Sequence, residues 1–295
     1  MDSTPPPQRQ PISRRRFLTA GLASAAALAL YAGEIERHWI EVTELEIHLS
    51  NLPAAFDGFR IAQLSDIHLD EFTEPFFLRR AVEKINSLQP DAVFMTGDFV
   101  TSGIRGRKAA LRSAGQCAEI LQELTCTQRY AVVGNHDVMV GAAGVIAALT
   151  ASGITFVRNS YLPIERSGAR FWLAGLDDPL EGHPNPDLAI PTAIRNQPNE
   201  PVVLMCHAPD YVRRLQAHPA GAAVDLMLSG HTHGGQVRVP FLGAFFLPYL
   251  GKHYVEGYFR LGNLQLYVNR GLGTVQLPFR FNCPPEITHF TLRRA

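Results

Sequence analysis

The sequence lacks a surplus of charge of either sign: 27 Lys and Arg stand against 27 Asp and Glu in 295 residues. A broad nucleic-acid-binding surface normally shows as a basic excess, so the balance argues against one. Cysteine is scarce. Cys117, Cys126, Cys206 and Cys283 lie far apart with no C-x-x-C spacing, which indicates neither a thiolate zinc site nor a redox pair. Isolated buried thiols are expected, and a Cys117–Cys126 bridge stays open for an oxidising compartment. Repeats, low-complexity tracts and a second linker are also missing. With 46% hydrophobic and 9% aromatic residues, a chain of this length buries a full core without a disulfide or metal staple.

The zero net charge sums over unlike parts. Residues 1–33 hold Arg9, Arg14, Arg15 and Arg16 against the single acid Asp2, which leaves a mildly acidic body of 23 basic and 26 acidic residues. A Pro-rich start (Pro5, Pro6, Pro7, Pro11) and Ser13-Arg14-Arg15-Arg16-Phe17-Leu18 lead into Phe17 to Gly33, 17 residues without a charge. This is the layout of an export signal. An arginine pair followed by Phe-Leu resembles the twin-arginine (Tat) signal, which carries folded proteins across the bacterial inner membrane. The positive-inside rule then puts the body, from about residue 34, in the periplasm or another extracytoplasmic space. Ala25, Ala27 and Ala29 offer weak cleavage sites, and retention as an inner-membrane anchor competes with cleavage. The expected organisation is a signal or anchor over 1–33 and one catalytic domain over 34–295.

In the body, compact apolar runs alternate with helical spacing. Trp39 to Leu49, Phe59 to Leu64, Ala92 to Thr96, Tyr130 to Val133, Phe171 to Gly175, Val202 to Cys206 and Leu226 to Ser229 read as strands. Pro75 to Leu88, Leu111 to Leu124 and Ala142 to Ser152 read as helices. Val255 to Leu261 and Leu264 to Val268 flank Gly262-Asn263 as a hairpin, and Ile287 to Leu292 gives a last strand. The fold class expected is α/β, a layered sandwich of two mixed sheets with helices outside, and its chemistry should sit on loops past the strand ends.

Five polar clusters follow those strands: Ser65-Asp66-Ile67-His68, Thr96-Gly97-Asp98, Gly134-Asn135-His136-Asp137, His207, and Gly230-His231-Thr232-His233-Gly234-Gly235. Each alone is weak, since a lone Gly-Asp is usually a turn and a lone His more often a hydrogen-bonded core residue. Together Asp66, His68, Asp98, Asn135, His207, His231 and His233 supply seven nitrogen and oxygen donors, as two adjacent metal ions require. His38, His48, His183, His218, His253 and His289 match no motif.

In this order the motifs D-x-H, G-D, G-N-H-D, lone His and G-H-x-H resemble the calcineurin-like metallophosphoesterase superfamily. The twin-arginine start, Asn269-Arg270-Gly271-Leu272-Gly273-Thr274 and Arg280-Phe281-Asn282-Cys283-Pro284-Pro285-Glu286-Ile287 resemble its YaeI/YkuE-type phosphodiesterases. The resemblance implies a four-layer α-β-β-α sandwich and a binuclear centre. Asp66, His68 and His233 would hold one divalent ion, Asn135, His207 and His231 the other, and Asp98 would bridge them. It also implies a metal-activated water as nucleophile and His136 against the scissile phosphate, as an imidazolium, with Asp137 able to orient its ring. Mixed N/O donors suit Mn, Zn or Fe. Asp70 stands where many relatives have Gly and is assigned no role.

The function expected is therefore a monomeric, exported, metal-dependent phosphodiesterase, attached to the membrane by its N-terminal segment and acting on envelope lipids or phospholipids. Relatives also suggest cleavage of UDP-2,3-diacylglucosamine in lipid A synthesis, although an outside location conflicts with a cytoplasmic nucleotide-linked substrate. A non-catalytic metal-binding scaffold is the competing class, but scaffolds usually lose ligands and all seven positions are filled here. A nuclease is disfavoured by the acidic body. Arg270 and Asn282 divide evenly between touching substrate phosphate and shaping a loop.

Overall fold

The computed structural model describes residues 13–70, 72–103, 106–197 and 199–295. The Pro-rich start and Arg9 lie outside them. Two six-stranded sheets form the body. The first contains β1 (Glu41–Leu49), β2 (Arg60–Leu64), β3 (Ala92–Met95), β4 (Arg129–Ala131) and β5 (Thr155–Phe156). The second contains β6 (Ser160–Arg166), β7 (Ala169–Gly175), β8 (Val202–Met205) and β9 (Leu226–Ser229). A ribbon of β10 (Arg238–Val239) and β11 (Gly243–Ala244) follows. The hairpin β12 (Gly257–Leu261) and β13 (Leu264–Val268) then completes the second sheet, and β14 (Glu286–Arg294) returns to the first. The strand orders are β1-β14-β2-β3-β4-β5 and β12-β13-β9-β8-β7-β6. Both sheets are mixed: β14 runs parallel to β1 and antiparallel to β2, and β6 runs antiparallel to β7.

Period-two alternation assigns each central strand's side chains to two cores, although all are buried. Ile61 and Phe94 point between the sheets, against Phe171, Val203 and Leu228, while Ala62, Leu64, Val93 and Met95 face the outer helices. Those helices are α2 (Pro75–Leu88), α3 (Gly106–Leu121), α4 (Asn135–Val140) and α5 (Ala142–Thr150), after the N-terminal α1 (Arg14–Leu30). Short helical turns supply Ile194, Val212 and Leu215 to cover Val202 and Leu204 on the outer face of the second sheet. The result is the expected four-layer α-β-β-α sandwich.

Three differences from the sequence reading have local causes. The edge strand β6 escapes its pattern because Pro163 interrupts it, which only an edge tolerates. The return of β14 between β1 and β2 is a long-range pairing that no local period encodes. All four cysteines are free thiols, so the bridge left open between Cys117 and Cys126 does not form.

No residue of α1 is buried, and Ser13 caps it by accepting from the Arg16 N–H. The helical path continues past residue 33 to His38, giving a 25-residue apolar helix long enough to cross a membrane by length and composition. It meets the body through Arg280, whose N–H donates to the Ala32 carbonyl at 3.0 Å.

Candidate metal centre and active site

The parallel strands β2, β3, β4, β8 and β9 end on one edge of the sandwich, and each releases a polar loop there. Asp66, His68, Asp98, His231 and His233 all adopt the left-handed backbone region, with φ between 47° and 72°. Each such non-glycine residue costs about 1–3 kcal/mol, and residues of this kind cluster where function holds them. The glycines beside them provide clearance. A Cβ on Gly97 would sit 2.5 Å from the Gly134 nitrogen, and one on Gly134 would collide with the Asp98 carboxylate.

Asp66, His68 and His233 form one donor group and Asp98, His207 and His231 another, with the ligand-type atoms of each group within 4.8 Å of one another. Asp98 lies between them: its Oδ2 is 3.4 Å from His68 Nε2 and 3.2 Å from His207 Nε2, while its Oδ1 accepts from the His136 N–H. His233 Nε2 faces His68 Nε2 at 3.2 Å and Asp66 Oδ1 at 3.3 Å.

Hydrogen bonds fix which imidazole nitrogen is free. His207 Nδ1–H donates to the Thr96 carbonyl (2.7 Å) and His231 Nε2–H to the Tyr249 carbonyl (2.9 Å). The Thr101 hydroxyl donates to Asp70 Oδ2 (2.6 Å), so it accepts from His68 Nδ1–H (3.2 Å). Each ring keeps a lone pair for the centre, the arrangement expected of oriented metal ligands. His207 Nε2 lies close to Asp98 without hydrogen-bond alignment, and both it and Asn135 Oδ1 are buried without a partner. Buried orphans of this kind call for an unseen partner. An all-N/O donor set around one shared carboxylate fits a pair of divalent cations.

His136 joins Asp98 and His68 in a third group within the same 4.8 Å limit. Its Nδ1 accepts from the backbone N–H of Ser102 at 3.0 Å, so the proton of the neutral ring is on Nε2. Burial pushes its pKa down to about 4, against the opposing charge of Asp98. Burial thus favours the neutral ring, with Nε2–H as its donor, over the imidazolium expected from the sequence. Asp137 does not touch the ring. Its carboxylate accepts from the N–H groups of Asp98, Phe99 and Gly134, which ties the loops after β3 and β4 together.

A family model, calcineurin-like phosphoesterase, matches residues 59–235, the span that carries all eight of these residues. The chain belongs to this family. It is a hydrolase of phosphate esters with metal-binding residue groups. It is 36% identical to the uncharacterized metallophosphoesterase YkuE of Bacillus subtilis over 96% of this chain and 98% of that protein. It is 32% identical to the phosphodiesterase YaeI of Escherichia coli, covering 95% and 99%. The UDP-2,3-diacylglucosamine pyrophosphatase LpxG of Chlamydia trachomatis is 27% identical, covering 92% and 94%.

Within this phosphoesterase, Arg270 pairs with Glu286 and Glu41. Asn282 is exposed in a left-handed turn. Arg280 is fully buried and donates to the carbonyls of Arg270, Gly271, Gly273 and Cys283, holding the loop whose Gly273 N–H reaches the Asp66 carbonyl. The supporting residues Asp70, Thr101 and Ser102 went unassigned in the sequence because their partners lie 31–34 positions away. Asp178, buried beyond β7, was missed although it follows the same strand-then-carboxylate pattern.

Proposed function

We propose that this phosphoesterase is an extracytoplasmic phosphodiesterase anchored by α1, acting on amphiphilic phosphodiesters of the cell envelope. The observation that carries the reading is the position of His136 between two unlike cavities. One, of about 850 Å³, is mixed, lined by Arg112, Gln116 and Ser102 together with Leu69, Phe72 and Ala109. The other, of about 350 Å³, is lined by Phe245, Phe246, Pro248, Tyr249 and Leu277 and reaches Asp98, His231 and His233. A phosphate held at His136 therefore has room for a group that reaches Arg112 in the larger, mixed cavity on one side and for an apolar group on the other.

In this reading Asp66, His68 and His233 would hold one divalent ion and Asn135, His207 and His231 the second, with the Asp98 carboxylate shared between them. Bound ions of the Mn, Zn or Fe type would supply Lewis acidity and a hydroxide nucleophile at neutral pH. Asp98 offsets the repulsion between the two cations. His136 Nε2–H donates to the phosphoryl oxygen where charge develops, and Ser102 keeps its proton on that nitrogen. Arg112 and Ser113 meet the polar end of the substrate.

The test is a turnover screen of the metal-replete full-length chain against phospholipids, bis-p-nitrophenyl phosphate and UDP-linked lipids. Hydrolysis of the soluble diester and of phospholipid is expected, and turnover of neither sinks the reading. The likeness to LpxG favours diphosphate cleavage in a lipid-linked nucleotide as a second reading. Exclusive turnover of UDP-linked lipid would establish it in place of the first.

A further inference from the structure

Exposed apolar side chains gather in one stretch. Phe241 is fully exposed, Leu242 is 82% and Phe245 85% exposed, and Phe246 and Tyr249 are exposed beside them. An apolar concentration of this kind marks an interaction surface. The stretch shares its support with the end of α1. Arg238 N–H donates to the Phe281 carbonyl (2.8 Å), the next residue back, Arg280, donates to Ala32, and the Tyr31 and Phe281 rings meet edge to face at 6.5 Å. Tyr31, Trp39 and Pro240 line a common cleft, and Trp39 is itself exposed. On its other flank the stretch is continuous with the apolar cavity, because Phe245, Phe246 and Tyr249 form part of that cavity's wall. Exposed Lys252 follows directly, where a cation would meet anionic headgroups.

We propose that Phe241–Tyr249 is a membrane-docking loop that enters the bilayer leaflet reached by the end of α1, so that the apolar cavity opens onto the acyl region and receives the lipid end of its substrate from the membrane. This rests on the reading of α1 as an anchor and of the chain as a phosphodiesterase. The occupant is a lipid bilayer because the loop continues a surface that starts at an apolar helix long enough to span one. Aromatic residues at that level, Trp39 and Tyr249, match the side chains that settle at membrane interfaces. The helix supplies retention at the membrane, and the loop sets the orientation of the body and the depth of the cavity mouth.

The proposal is tested with the full chain in phosphatidylethanolamine and phosphatidylglycerol vesicles. In Phe241→Trp, the emission added over wild type should be quenched by more than half by lipids brominated on the acyl chains. In Leu188→Trp, an exposed apolar position in the short helical turn Pro186–Ala189, it should not be. The double variant Phe241→Ser/Leu242→Ser, at positions outside the cavity wall, should hydrolyse bis-p-nitrophenyl phosphate like wild type and lose at least tenfold on vesicle-borne phospholipid. Equal quenching in both tryptophan variants overturns the proposal, as does an equal loss on both substrates. An emission spectrum of Phe241→Trp that shifts with protein concentration in lipid-free detergent assigns the patch to a second copy and also overturns it. If the wild-type chain turns over no diester, the phosphodiesterase reading falls, while the quenching still reports on the loop.

Discussion

Exchanging Asp70 for Asn replaces one oxygen with an amide and reverses a chain of protons that ends at the proposed metal centre. In the native chain His68 Nδ1–H donates to Thr101 Oγ1, and the Thr101 hydroxyl donates to Asp70 Oδ2. Asp70 Oδ1 accepts from the N–H groups of Phe72 (2.6 Å) and Thr73 (3.0 Å), so the Asn oxygen must stay on that side and its NH2 must face Thr101. The hydroxyl then turns to donate to His68 Nδ1, which moves the ring proton to Nε2. That nitrogen faces Asp98 at 3.4 Å and His233 at 3.2 Å, and once protonated it cannot ligate. Binding metal in the variant means breaking the His68–Thr101 contact and leaving a buried polar group unpaired, at about 1–3 kcal/mol. A fall in metal affinity of about 10- to 100-fold is expected. Asp70→Gly removes the acceptor without imposing a donor, so the hydroxyl stays free to accept and the loss should be under about tenfold. Competitive titration of the chelated proteins with Mn or Zn against a fluorescent chelator reads both. Equal affinities for the Asn and Gly variants would refute the proton-polarity argument.

Four further outcomes follow from the geometry. His136→Ala should lower kcat on bis-p-nitrophenyl phosphate about 10²- to 10³-fold with metal content intact, the loss typical of one donor to a developing oxyanion; near-normal turnover rules out the role. Burial raises the Asp178 carboxyl to about 6, so between pH about 4 and 6 the unfolded chain releases a proton that the folded one keeps. The Asp178 share of metal-free stability should then fall by about 3 kcal/mol as pH rises through that window and level off above it; Asp178→Asn should remove this share from the pH dependence of urea unfolding, and parallel wild-type and variant curves refute the assignment. Arg280→Met strands four loop carbonyls and should cost about 3–5 kcal/mol in the same assay, whereas a loss below about 1 kcal/mol means the loop finds other donors. Chelation should lower the melting temperature, since free metal at about 1,000 times its Kd contributes about 4 kcal/mol; a scan that chelator leaves unmoved argues against a structural share for the ions.

The motifs were legible because each follows a short buried strand, so Asp66, Asp98, Asn135, His207 and His231 mark strand ends as well as donors. The glycines beside them signalled close backbone approach, and Gly97 and Gly134 show it directly. What could not be read is what depends on distant partners. Asp137 looked like a partner for the adjacent His136 ring, but its carboxylate serves backbone N–H groups across two loops, and Ser102, 34 positions away, holds the ring. Burial, which lowers the His136 pKa, is likewise a property of the assembled loops. The pairing of β14 with β1 and β2 joins positions more than 200 residues apart.

The wall between the two cavities also bears on what happens after hydrolysis. His136, Val275 and Gln276 are the described residues that both cavities share. An amphiphilic diester of the kind proposed, cleaved there, would separate into halves in different phases: one product would leave through the larger cavity, while the apolar product would stay beside a hydrophobic mouth. Turnover on a lipid surface would then be limited by clearance of the apolar product, and added apolar product should inhibit where the polar product does not.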